Sequence, residues 1–206
     1  MSLRVRYTRG FLLDLKRRLS FVRDAHELLE MKRDQLIREI RGAITRLKEV
    51  RGEVEMEVEE LYGELALTHA VYGSQELVSA SWIPGERMKV EILPRSVMGV
   101  EVPKVKILKA PSIEKGYPPH IAGLARKASN LIVKLLEIAE IEALIERVAE
   151  DLRLTNVRVN ALEKVVIPAY EELIKRIGET IEQSQLEEFM RVKLVKKALA
   201  RRRGEA

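Results

Sequence analysis

A chain of 206 residues that is 33% charged, 46% hydrophobic and only 4% aromatic has the make-up of long helices rather than of a sheet sandwich or a compact enzyme core. With no cysteine and three scattered histidines, it excludes a disulfide frame, a thiolate nucleophile and a Cys-based zinc site, and it fits a reducing, cytosolic setting. The net charge of +5 is unevenly placed: residues 1–20 carry +5 and residues 191–206 carry +6, so the 170 between them sum to −6. An acidic body thus ends in two basic segments. No stretch approaches the roughly 18 uninterrupted apolar residues of a membrane span, and Arg4, Arg6, Arg9 and Lys16 break up any apolar signal core at the amino end. Direct membrane insertion is not expected.

From Leu12 to Leu61 apolar residues recur at alternating steps of three and four. Placing Leu12, Leu19, His26, Arg33, Ile40, Leu47, Val54 and Leu61 at a puts Leu15, Val22, Leu29, Leu36, Ala43, Val50, Glu57 and Glu64 at d, and twelve of these sixteen positions are apolar. A period of 3.5 held for about seven heptads predicts a coiled-coil helix over 1–78. At about 1.5 Å per residue such a helix is on the order of 100 Å long, too long for a compact domain of this size.

The middle segment, 79–117, holds four of the seven prolines and cannot continue the helix. Met88–Leu93 and Val100–Leu108 alternate apolar with charged residues, with Pro94, Ser96 and Gly99 between them. This predicts a small β-hairpin with a loose connection, in which Pro103 makes the second strand an edge or splits it.

A second helix is expected over 118–206, started by Pro118 and Pro119. Its seam runs through Ile138, Ile141, Ile145, Val148, Leu152, Thr155, Val159, Leu162, Val166, Ala169 and Leu173, and then steps by four to Ile177 and Ile181 as a stutter does. Pro168 lies inside this periodic stretch, where it removes the bond to Lys164 and crowds its carbonyl, so a kink at 165–168 is expected. The fold class that follows is mainly α: a long antiparallel two-helix coiled coil of the N- and C-terminal helices with a small β-hairpin insert. The simplest closure brings both basic ends to one tip and leaves the hairpin near the opposite end.

No phosphate-binding glycine loop, nucleophile elbow, HExxH or Asp-rich calcium loop occurs, so no catalytic, cofactor-binding or metal-binding residue is assigned. His26 at an a position reads as a hydrogen-bonded seam residue before it reads as a general base. Arg33 is expected to pair with a carboxylate of the facing helix or to snorkel outward, and Glu57 and Glu64 to mark a loosening seam. Gly42, Gly52 and Gly63 each cost about 1 kcal/mol relative to Ala in a helix. They read either as tolerated surface positions or as places of close approach or bending.

The run VKLVKKALARRR keeps Val192, Val195 and Leu199 at helical spacing among its cations. Frayed solvated ends, nucleic-acid binding through counterion release and an acidic or mixed protein socket compete as explanations. The scarcity of aromatic stacking platforms argues against nucleic acid, and the modest apolar face argues against a membrane surface.

The words TRGFLLDLKRRL and HELLEMKRDQLIREI between Thr8 and Ile40, VMGVEVP at Val97–Pro103, NVRVNALEKVVIPAYEELIKRI at Asn156–Ile177 and the closing EEFMRVKLVKKALARR resemble the D subunits of the archaeal and vacuolar-type rotary ATPases over nearly the whole chain. The resemblance implies a non-catalytic central rotor shaft on the cytoplasmic face of the membrane. Its joined termini would enter the central cavity of a hexamer of catalytic A and B subunits. Its other end would bind the small F subunit, and would seat on the funnel that the C subunit, above the membrane ring, provides. The hexamer-contacting tip would comprise Arg4, Arg6, Arg9, Arg17, Arg18, Lys193, Lys196, Lys197, Arg201, Arg202 and Arg203. A hairpin that influences hydrolysis would carry Met88, Val90, Ile92, Val97, Met98, Gly99, Val100 and Pro103, and Pro168 would curve the shaft. No cofactor and no nucleic-acid partner are implied.

Overall fold

The structure, a computed structural model, describes residues 7–81, 88–109 and 118–204. Their elements are α1 (Arg9–Tyr72), α2 (Ser74–Ser81), β1 (Lys89–Val97), β2 (Val100–Lys109), α3 (Pro119–Ala161), a π turn (Leu162–Val166) and α4 (Ile167–Gly204). The protein is therefore mainly helical, with a two-stranded antiparallel sheet in the middle of the chain.

The ends of the elements follow from local chemistry. Thr8 caps α1: its Oγ1 accepts from the Phe11 amide at 3.3 Å and its carbonyl from the Leu12 amide at 3.0 Å. The first helix stops at Gly73, whose φ of 82° carries the chain out of the helix while its amide donates to the His69 carbonyl at 3.0 Å. The heptad pattern ran this helix on to residue 78; the left-handed glycine places the break earlier. At the start of α3 the Pro118 carbonyl accepts from the amides of Ile121 and Ala122, and Pro119 fills the first turn, where no amide is needed.

Packing divides the chain into two units. One comprises residues 1–33 with 155–206, and there Leu15, Leu19, Thr155, Val159 and Ile177 are buried. The other comprises 34–154. In it Val54 of α1 packs with Leu131 and Ile138 of α3, flanked by Leu47, Val50, Val58 and Leu61. Most of these are seam positions of the heptad pattern, and the two helices meet in antiparallel order.

Glu57 and Glu64 do not loosen this seam. Lys134 donates to Glu57 at 2.6 Å and to Glu53 at 3.4 Å, and Lys127 donates to Glu64, so each acidic d position is bound across to α3. The lysine stems cover apolar surface while their ammonium groups reach the carboxylates. Arg46 to Glu137, at 2.5 Å, adds a further cross-link between α1 and α3.

The hairpin departs from expectation in two ways. Its connection is tight: β1 runs through Pro94 to Val97 and turns over Met98 and Gly99, at φ 52° and 81°, the positive pair that a two-residue hairpin turn of the right twist requires. Strand pairing survives because Pro94 lies opposite Pro103. Counting outward from the Val97 and Val100 pair, that position exchanges no hydrogen bonds, so neither proline withholds a donor. Second, the hairpin folds back onto the helices. Val102 is buried with Leu36 of α1 and Val148 of α3, and Val97, Val100, Ile40, Leu144 and Leu152 surround them. The turn thus sits on a mid-length level of α1 rather than beyond its end.

Leu36 is fully buried where α1, α3 and β2 meet. Leu36→Ala should lower stability by about 2–5 kcal/mol. Gly52→Ala, where an added Cβ meets nothing within 4 Å, should raise it by about 0.5–1 kcal/mol. Urea unfolding of both variants checks the pair of signs.

Candidate interaction surfaces

The seam of the first unit ends at Ile181. Ile177 is fully buried and Ile181 partly so, whereas every described residue from Glu182 to Arg201 is exposed although α4 continues to Gly204. The register explains the change. Arg23 donates to Glu171 at 2.6 Å across the two helices, and equal steps outward from that pair bring Arg9 level with about residue 185. Among the described residues α1 begins at that level, and α4 runs on past it.

The uncovered helix is not polar. Leu186, Phe189, Met190, Val192, Leu194, Val195 and Leu199 are each 54–67% exposed. At about 100° per residue, Leu186, Met190 and Leu194 fall on one side of the helix and Val192, Val195 and Leu199 on the opposite side. Lys193, Lys196 and Lys197 are interleaved among them and exposed. A helix that is apolar on opposite faces reaches a satisfied state only when it is enclosed. A flat partner would cover one stripe and leave the other wet.

Of the other predicted tip residues, Arg9, Arg17 and Arg18 are exposed on α1, and Arg18 donates to Asp14 at 2.9 Å. Arg201 is exposed on α4. Arg4, Arg6 and the side chains of Arg202 and Arg203 lie outside the described residues. The two cationic segments are staggered, with those of α4 following those of α1. The stripe of Leu186, Met190 and Leu194 is absent from the expectations above, although its spacing of four was the signal that could have revealed it.

The hairpin presents a second surface. Val90 and Ile92 are 39% and 69% exposed, while Pro103, Val105 and Ile107 beside them are half-buried. By strand alternation all five share one face with Pro94. Met98 projects from the turn and is half-exposed; Gly99 is exposed, and Met88 just before β1 is half-buried.

Pro168 is exposed in the first turn of α4, directly after the π turn. The Ile167 amide donates five residues back, to the Leu162 carbonyl. Proline has no amide for the carbonyl of Lys164 and its ring crowds that oxygen, so the helix widens by one residue immediately upstream.

Charge pairing of the second unit is concentrated where α1 and α3 lie together. The hydrogen bond that Lys134 donates to Glu57 is the largest influence holding its ammonium above the usual lysine range, with burial opposing it and Glu53 adding to it; Glu64 and then Glu60 do the same for Lys127. Among the described residues, no group of three or more His, Cys, Asp or Glu side chains is arranged to hold a metal ion, and no helix is long and apolar enough to cross a membrane.

A folded pKa above the unfolded one means that these lysines stabilise fully at neutral pH and lose that contribution as the pH rises through the raised value. Lys134→Met should therefore be less stable than the parent near neutrality, with the difference shrinking above the lysine range. Denaturant midpoints measured from neutral to strongly alkaline pH give the comparison, and a difference that grows with pH would reverse the sign.

The profile of a protein family described as the D subunit of ATP synthase matches residues 11–197. The A-type ATP synthase D subunit of Methanopyrus kandleri is 34% identical over 206 residues, covering 95% of this chain and 87% of the relative. That of Methanobrevibacter smithii is 34% identical, covering 97% and 89%. The V-type ATP synthase D subunit of Thermotoga neapolitana is 36% identical over 203 residues, covering 94% and 98%.

Proposed function

The chain belongs to the family of ATP synthase D subunits, and from that premise we propose that it is the non-catalytic central shaft of a rotary ATP synthase or ATPase, transmitting torque between a membrane ring and a catalytic hexamer of A and B subunits. The observation that carries this reading is the uncovered end of α4, apolar on opposite faces and studded with cations. The central cavity of a ring encloses an inserted helix on all sides, as this segment demands. Its lysines and arginines then meet the inner wall by charge complementarity while the two stripes pack.

In this reading the hairpin region faces the F and C subunits, the latter as a funnel, and the assembly holds the protein peripherally at the cytoplasmic face of the membrane. The shaft supplies no reacting group. Turning off-axis in a three-fold ring, it contacts each catalytic interface differently, and it shifts open and closed populations by the difference in contact free energy between those states. The π turn and Pro168 interrupt the regular winding of the second helix, and an irregular shaft makes such contacts unequal around the axis.

Two double variants test the socket. Leu186→Asp with Leu194→Asp, and Val195→Asp with Leu199→Asp, should each abolish co-purification with the A and B hexamer at one copy per three pairs. Helix content and affinity for the F subunit should stay unchanged, because all four residues lie beyond the seam. Loss from one pair alone would indicate a flat partner, and unimpaired assembly in both would contradict the proposal.

A further inference from the structure

The hairpin rests on the helices at two points. At its turn, Val102 fills the notch between Leu36 and Val148. Farther back, the Val105 amide donates to the Glu140 Oε2 of α3 at 3.1 Å. Between β1 and the helices lies a cavity of about 420 Å³, lined among others by Arg38, Gly42 and Arg46 of α1, Arg95 of β1 and Glu137 and Glu140 of α3. The hairpin therefore spans a gap rather than lying flush along its length.

Strand geometry singles out Val105. In β2 the amides at Glu101, Val105 and Ile107 point away from β1, while Pro103, between the first two, has none to offer. The outward edge of β2 thus presents a donor at Val105 beside an interruption, and an acceptor reaching it from α3 is matched to one register of the hairpin. A slide by one residue would offer that acceptor an inward amide, and a slide by two would offer it either the proline or, in the other direction, the Ile107 amide only by drawing Val102 about 7 Å out of its notch. Apolar contact at Val102 is non-directional and tolerates small slides; the hydrogen bond does not.

We propose that Glu140 is a positioning residue for the hairpin: its carboxylate, accepting from the Val105 amide, fixes the register in which the hairpin lies on α1 and α3. The outer face carrying Val90 and Ile92 is thereby presented at one level of the helix pair. This assignment stands on the geometry of residues 34–154 alone and does not depend on the rotary reading.

Hydrogen exchange on the full-length protein tests it. Glu140→Ala should lower the protection of the Val105 amide by about tenfold, the worth of one such bond, with seam amides near Val54 and Leu131 unchanged. Glu140→Gln, which keeps an acceptor oxygen at the same reach, should retain protection within about threefold of the parent, whereas Glu140→Asp, one methylene shorter, should resemble the alanine variant. Because the chain contains no cysteine, spin labels at Ser96→Cys and Ala149→Cys report the hairpin-to-helix distance in the same variants, which should broaden only in the alanine and aspartate forms. Unchanged protection at Val105 in Glu140→Ala overturns the assignment, as does equal loss in the glutamine variant or loosening spread over the seam as well. Should the alanine variant fail to fold, the contrast between glutamine and aspartate decides by the same criteria.

Discussion

Two helices packed side by side share only one buried line, and nearly everything in this protein follows from how that line is filled. The side chains on it are mostly aliphatic and few: Leu15, Leu19, Val159 and Ile177 with Thr155 in one unit, Leu36, Val54, Leu131, Ile138 and Val148 in the other. Apolar burial supplies the driving force but not the register. Directional contacts supply that: Arg23 to Glu171 in the first unit, and Lys134, Lys127 and Arg46 reaching opposite carboxylates in the second. Each of these pairs is exposed enough to contribute little stability by itself. Their joint effect is to make one alignment of the helices better than its neighbours.

Register then dictates what is left over. With Arg23 level with Glu171, α4 outruns α1 by several turns and its apolar residues lose their cover. In the second unit the pairing of α1 with α3 opens the notch between Leu36 and Val148 that receives Val102, so the hairpin is seated by the seam it lies on. The surfaces that remain for partners are consequences of the pairing, not separate modules added to it.

Periodicity made the long helices, the antiparallel order and much of the seam legible in the sequence, because a 3.5-residue repeat admits few other structures. It misjudged Glu57 and Glu64, since the pattern records that a d position is charged but not that a lysine stands opposite. Gly73 was a visible helix terminator, masked by the longer apolar rhythm. Pro94 and Pro103 look disruptive one at a time; only their pairing shows that they cancel. The π turn at Leu162–Val166 overlaps the stretch 165–168 in which Pro168 is expected to disturb the helix, and it lies mostly upstream because the crowded carbonyl precedes the proline. The turned-back hairpin could not be read at all, as no local rule states against which helix a strand will lie. For the tail, Val192, Val195 and Leu199 stand out in the sequence, yet the opposite stripe, and with it the need for an enclosing partner, emerged only once the end of α1 was placed.

If the end of α4 works inside a protein cavity, its side chains must change from wet to covered on assembly. A single reporter at Val195→Cys, unique in a chain without cysteine, reads this directly through its rate of modification by a soluble maleimide, alone and after assembly with the A and B subunits. Fast labelling of the free protein and strong protection in the assembly are expected, while a cysteine at the exposed hairpin residue Ile92 is not shielded by the hexamer. Equal labelling of Val195→Cys in both states would contradict an enclosed α4.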